Sequence, residues 1–127
     1  MRDLVKATKA LSDETRLRIL NLILEKECCV CEVMQALDIS QTRASRNLKV
    51  LYDAGFLKQR KEGLWSLYSL DNEGMKHGSY LVEAVKKALA NNAVAAKDKE
   101  RLKKAERVGA RCVRSLEDGV PCKSTSL

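Results

Sequence analysis

Residues 37–70 read LDISQTRASRNLKVLYDAGFLKQRKEGLWSLYSL, and the texture of the chain changes halfway along them. Asp38-Ile39-Ser40 is a break, and Ser40 is placed to cap a helix that starts at Gln41. Within that helix Ala44, Leu48 and Leu51 recur at i, i+4 and i+7, so they face inward. Gln41, Thr42, Ser45, Arg46 and Lys49 are left on the outside, and Gly55 closes the helix as its C′ residue. Beyond it, FLKQRK and LWSLYSL are rich in apolar and aromatic residues, with Glu62-Gly63 between them. This spacing predicts a β-hairpin with a tight turn, whose first strand carries Lys58, Arg60 and Lys61.

Upstream, the spacing predicts a short helix over residues 3–10, with Leu4, Val5, Ala7 and Ala10 on or near one face. Ser12 reads as the N-cap of a second helix, with Asp13 and Glu14 in its first turn, where negative charge suits the helix dipole. Leu17, Leu20, Ile23 and Leu24 mark its buried face, and it ends near Lys26. A third, short helix is expected from Val30 to Leu37. Downstream, a helical pattern resumes at Asn72 with Met75, Leu81, Val82, Val85 and Leu89, and continues in Ala-rich, charged sequence to about Val108. Gly109, Gly119 and Pro121 weaken any helix beyond, and the last ten residues are expected to be disordered. The fold class is therefore mainly α with a small β-hairpin: a winged helix-turn-helix over residues 1–92, then a basic C-terminal extension over 93–127.

The chain has 127 residues and a formal charge of +7. Residues 1–40 carry 6 basic and 7 acidic groups, and residues 41–63 carry 6 and 2. Residues 64–85 carry 1 and 3, and residues 86–127 carry 11 and 5. Positive charge thus collects in the helix–hairpin segment and the tail, the electrostatic footprint of a nucleic-acid binder. A solvated basic surface would give the same totals, but a helix-turn-helix followed by a basic hairpin is a DNA-reading arrangement. Gln41, Thr42, Arg43, Ser45, Arg46, Asn47 and Lys49 are the candidate contacts on the helix, and Lys58, Arg60 and Lys61 those on the wing. Gln and Asn can pair bidentately with adenine and Arg with guanine, while Arg43 and Arg46 could serve phosphates alone. There is no apolar run of membrane-spanning length, and the N-terminus has no secretory apolar block, so a cytoplasmic protein is expected.

The segment ECCVCEV, residues 27–33, concentrates Cys28, Cys29 and Cys31, while Cys112 and Cys122 lie in the tail. Five cysteines is an odd number and fits reduced thiols better than a disulfide framework. Neighbouring cysteines close only a strained ring, so a structural disulfide is set aside. Buried cysteines can serve as small hydrophobes. Three thiols at the start of a helix also suit capture of a soft ion, because thiolates select soft metals and bind once deprotonated.

The stretches LSDETRLRIL (residues 11–20) and SQTRASRNLKVLYDAG (residues 40–55) resemble the signatures of the ArsR/SmtB family of metal-responsive repressors, and the likeness runs over about residues 4–90. The resemblance implies a winged-helix homodimer, with residues 3–10 and 73–92 supplying its contacts. It implies binding to operator DNA with inverted half-sites and release when metal binds. Cys29-Val30-Cys31 matches the arsenite-sensing pattern of that family, but Met34 stands where a third cysteine would be. A cadmium- and lead-sensing branch adds cysteines from an N-terminal extension, and no cysteine precedes Cys28 here. A zinc-sensing branch needs several histidines, and His77 is alone and reads as a surface residue.

The expected inducer is accordingly As(III), or the similar Sb(III), held by Cys28, Cys29 and Cys31, with Cys112 or Cys122 as alternative third ligands from the same or the partner chain. On a regular helix residues i and i+2 point about 200° apart, so gripping Cys29 and Cys31 together is expected to distort the third helix and through it the reading helix. A thiol redox or persulfide sensor on the same fold is one alternative. A small thiol-dependent arsenate reductase is another, although no glycine-rich anion cradle adjoins these cysteines and the chain is not expected to be an enzyme.

Overall fold

A computed structural model of the protein describes residues 1–73 and 78–108. Met75, His77, Cys112, Cys122 and the expected disorder of the last ten residues fall outside the described residues. The element order is α1 (Arg2–Leu11), α2 (Glu14–Glu25), β1 (Cys28–Cys29), α3 (Val30–Leu37), α4 (Gln41–Asp53), β2 (Leu57–Glu62), β3 (Trp65–Leu70), α5 (Gly78–Leu89) and α6 (Ala93–Lys104). The fold is mainly helical with a small antiparallel sheet, as the hydrophobic spacing predicts.

Local chemistry sets the boundaries. Asp13, rather than Ser12, caps α2: it is extended (φ −147°) and its carboxylate accepts the Arg16 amide at 3.0 Å. Ser12 instead ends α1, its hydroxyl donating to the Lys9 carbonyl at 2.7 Å. Asp38 adopts the left-handed conformation (φ 56°) that turns α3 toward α4, and Ser40 accepts the Arg43 amide at 3.2 Å. Gly55, at φ 92°, ends α4 as expected. In the hairpin Glu62 pairs with Trp65, so the turn is Gly63-Leu64, one residue later than expected. Gly63 (φ 61°) occupies the first loop position, which favours glycine in a two-residue turn of that hand.

Two further features differ from the sequence expectation. The hairpin gains a third strand: Cys28 pairs with Tyr68 and Cys29 with Leu67, giving the order β1-β3-β2. The long C-terminal helical pattern is broken at residues 90–92, where Asn92 caps α6 by accepting the Ala95 amide at 3.0 Å.

The core is built from Ile19, Leu20 and Leu22 of α2, Val33 and Leu37 of α3, Leu48 and Leu51 of α4, and Phe56, Leu57 and Leu67 around the sheet. Each such side chain contributes about 1.5–3 kcal/mol by leaving water. The C-terminal helix α6 packs on α2 and α3. Ala95 and Leu102 are buried, Arg18 clamps Asp98 through two contacts of 2.8 Å, and Asn21 donates to the Ala95 carbonyl at 3.3 Å. The chain past residue 92 therefore closes back over the helix-turn-helix as far as Val108.

Candidate metal site and nucleic-acid interface

Cys29 does not lie inside α3. It is the N-cap, extended at φ −89° and ψ 169°, and it is also the last residue of β1. The first helical turn then brings Cys31 back beside it: the two Cα atoms are 5.5 Å apart and the sulfurs are paired. Both residues are buried. Glu32 supplies the other half of the cap by accepting the Cys29 amide at 3.0 Å. The Cys-x-x-Glu pattern is thus a capping box in which cysteine stands for serine, and this is the signal in the sequence that locates Cys29 outside the helix.

This arrangement corrects two expectations. Ring strain argues against a disulfide between neighbouring cysteines, yet the Cys29–Cys31 Cα separation is within the range a Cys–Cys pair spans. Uniting the two sulfurs was also expected to unwind α3. With Cys29 at the N-cap they meet while α3 is regular from Val30 onward.

Cys28 goes elsewhere. Successive residues of a strand point to opposite faces, so Cys28 points away from Cys29, and its thiol donates to the Lys26 carbonyl at 3.3 Å. Burial, with the Glu32 charge adding to it, pushes the Cys28 thiol up to about 12. Among the described residues no third cysteine, histidine or carboxylate joins Cys29 and Cys31 in a group able to hold a metal.

Glu32 is almost fully buried and organises the surroundings. Its carboxylate takes Lys26 Nζ at 2.5 Å, Arg107 Nε at 2.9 Å and the Cys29 amide. Burial alone would raise its pKa, but Lys26, the Cys29 N–H and Arg107 outweigh that and hold it below the ordinary carboxylate range.

The segment after α6 crosses directly over this site. Gln35 Nε2 donates to the Glu106 carbonyl at 2.6 Å, and the Glu106 amide donates to Gln35 Oε1 at 3.1 Å. Arg107 also donates to the Glu27 carbonyl at 3.2 Å. The Val108 amide donates to Cys31 Sγ at 3.4 Å, and its carbonyl accepts Trp65 Nε1 at 2.7 Å. A cavity of about 480 Å³ opens here, lined among others by Cys29, Cys31, Gln41, Ser45, Trp65 and Val108. The thiol pair, the first turns of α4 and the start of β3 beside the wing's turn therefore share one space.

The predicted DNA contacts divide into two groups. Gln41 and Ser45 face the cavity, half-buried, while Thr42, Arg46 and Lys49 are exposed. The side chains of Arg46 and Lys58 are exposed and make neither a hydrogen bond nor an ion pair with the described residues. Others are already engaged. Arg43 donates to Thr15 Oγ1 at 2.9 Å, and Asn47 accepts from Arg16 at 3.2 Å and donates to the Arg43 carbonyl at 2.9 Å, so these two tie α4 to α2. Lys49 pairs with Asp53 at 3.1 Å. On the wing Arg60 is held by Glu27 at 2.8 Å and Glu62 at 3.2 Å, and Lys61 donates to Ser66 at 2.9 Å.

Comparison with known proteins agrees with this architecture. Residues 13–59 match the family model described as bacterial regulatory protein, arsR family. A cadmium resistance transcriptional regulatory protein CadC homolog of Staphylococcus aureus is 45% identical over 75 residues, 58% of this chain and 62% of that protein. The arsenical resistance operon repressor of Escherichia coli is 46% identical over 67 residues, 52% of this chain and 57% of that one. An uncharacterized HTH-type transcriptional regulator of Methanocaldococcus jannaschii is 40% identical over 76 residues, 59% of this chain and 85% of that protein. The chain thus spans about 60% of the length of the first two relatives. Among solved structures, a homodimeric winged helix-turn-helix DNA-binding domain of Mycobacterium bovis, a possible ArsR-family regulator, superposes with a TM-score of 0.61 at 27% identity, covering 72% of this chain and 82% of that one. With helices α3 and α4, the wing and the thiol-capped helix start all in place, the chain belongs to the ArsR family of bacterial transcriptional regulators.

Proposed function

We propose that this protein is a homodimeric DNA-binding repressor that leaves its operator when a trivalent metalloid, arsenite or antimonite, is bound through Cys29 and Cys31. One observation carries the reading: the two sulfurs sit together beside the cavity that Gln41 and Ser45 of α4 also line. The relatives named for arsenical and cadmium resistance support a soft-ion inducer. The donor set fits as well, because thiolates favour soft ions. A bound As(III) would supply a three-coordinate centre that crosslinks thiolates.

Coupling needs no unwinding of α3. β1 joins Cys29 to the middle of strand β3 of the wing through Leu67, and Cys31 belongs to the helix that packs on α4. Filling the shared cavity from the thiol side biases how α4 and the wing sit relative to each other. A hundredfold loss of operator affinity corresponds to about 2.7 kcal/mol of coupling, and operator then weakens inducer binding by the same factor.

Operator titration under reducing conditions tests this. Arsenite is expected to release wild-type protein, and Cys29→Ser and Cys31→Ser are expected to stay bound. Cd(II) in a parallel arm ranks the ions. Release of both variants as readily as wild type would refute the assignment.

The pairing of the two sulfurs favours a second reading, a redox-responsive repressor. Cys29 and Cys31 would give two protons and two electrons to a peroxide, forming a disulfide and two waters. Release by peroxide and not by arsenite distinguishes it from the first.

A further inference from the structure

We propose that Trp65 is the positioning residue that passes occupancy of the thiol pair to the wing, through the Val108 backbone that touches both. This rests on the reading above that Cys29 and Cys31 hold the inducer. The Val108 amide donates to Cys31 Sγ at 3.4 Å, and the Val108 carbonyl accepts the Trp65 indole N–H at 2.7 Å. Trp65 opens β3 directly after the Gly63-Leu64 turn, paired with Glu62. Its chain neighbour Ser66 pairs with Lys61 across the hairpin and accepts the Lys61 ammonium at 2.9 Å. A continuous path therefore runs from Cys31 through Val108, Trp65 and Ser66 to one of the wing's candidate DNA contacts.

Val108 can act as a link because the chain before it is held. Glu106 is bonded to Gln35 through both its carbonyl and its amide, at 2.6 and 3.1 Å. Arg107 donates to Glu32 at 2.9 Å and to the Glu27 carbonyl at 3.2 Å, and Val108 itself is buried. A change at Cys31 is thus met by an anchored segment rather than absorbed by slack.

The contact between Cys31 and Val108 has two forms, as a coupling element requires. Cys31 Sγ also lies 4.0 Å from the Val108 carbonyl. In the reduced, empty protein the thiol proton therefore has as an acceptor the same oxygen that Trp65 holds. When arsenous acid is captured, each As–S bond formed breaks an As–O bond, and the thiol proton leaves in a water molecule. No electron is transferred. The bound sulfur has no proton to donate, and it draws the Val108 amide more strongly because it carries more negative charge than a thiol. The Val108 carbonyl is then left to the indole alone. Val108 closes on Cys31 and takes Trp65, and with it the start of β3, along.

The test uses the full-length, reduced protein. Operator affinity is measured with and without arsenite, and the ratio is taken within each variant, so a change in basal affinity cancels. Wild type is expected to lose about a hundredfold, within the usual range of allosteric coupling. Trp65→Phe, which keeps an aromatic ring but has no N–H, is expected to bind arsenite as wild type does yet lose less than about fivefold. Trp65 is the chain's single tryptophan, so its emission reads the link directly. Arsenite is expected to shift that emission in wild type, not in Cys31→Ser, and less in Gln35→Ala, where Glu106 gives up both its bonds. These emission arms decide the matter even if Trp65→Phe fails to fold. Full release of Trp65→Phe, loss of arsenite binding in it, no emission shift in wild type, or an equal shift in Gln35→Ala would overturn the proposal. Release of Cys29→Ser and Cys31→Ser as readily as wild type would instead overturn the site reading beneath it, and the two failures are told apart by which variants change.

Discussion

At the residue scale, the placement of charge separates groups that hold the protein together from groups left for a partner. Asp98 is buried, and its carboxylate is met by both nitrogens of Arg18 at 2.8 Å. This contact raises the Arg18 pKa, the Asp98 hydrogen bond being the main cause. Arg18→Ala leaves a buried carboxylate unpaired and is expected to cost about 2–3 kcal/mol in urea unfolding. That is less than for a fully dry pair, because a quarter of the Arg18 side chain is in water. The double variant Arg18→Met, Asp98→Leu is expected to recover most of the loss, since removing both charges lifts the desolvation penalty. Arg43 and Asn47 belong with Arg18 in this sense: they have the chemistry of DNA contacts, but their side chains are spent on α2 and α4. Sequence alone could not reveal that, because spacing reports which face a residue occupies and not which neighbour answers it.

At the scale of elements, the helices were legible because their apolar residues recur at 3.6-residue spacing and their caps are chemically specific. Ser40 and Gly55 bracket α4 as read, and α3 has the bounds Val30 and Leu37 that were expected. Strand β1 was not legible, since two residues are too few to show alternation, and their pairing partner lies 38 or more positions away. The break before α6 was hidden by the uniform Ala- and Lys-rich sequence around Asn92. In the candidate site, the pairing of Cys29 with Cys31 followed from an N-cap role that cysteine rarely signals, and the approach of Val108 from a contact 77 positions apart. The wing carries a further expectation. Arg60 is neutralised by Glu27 and Glu62, whereas among the described residues Lys61 engages only the neutral Ser66. Lys61→Ala should therefore weaken operator binding evenly across sequences and reduce the slope of log affinity against log salt by about 1. Arg60→Ala should change that slope less, and fluorescence anisotropy over a salt series reads both.

At the scale of the whole molecule, apolar side chains remain in water on the two helices expected to form the dimer. Leu4 and Val5 of α1 are 36% and 43% exposed, and Tyr80 of α5 is 74% exposed. Covering them with a second copy is expected to give a species of about 28 kDa by sedimentation, twice the 14.2 kDa chain. The double variant Val5→Glu, Tyr80→Glu should sediment as a monomer. A two-fold dimer presents its reading helices to half-sites about one helical turn apart, or a multiple of it. Among the described residues no helix is long and apolar enough to cross a membrane. The junction between α6 and α3 has a consequence of a different kind. Gln35 grips residue 106 by its peptide N–H and C=O and ignores its side chain. Evolution is therefore free to rewrite position 106 with anything but proline, whose ring lacks the N–H, while Gln35 itself cannot drift without giving up both bonds to residue 106 at once.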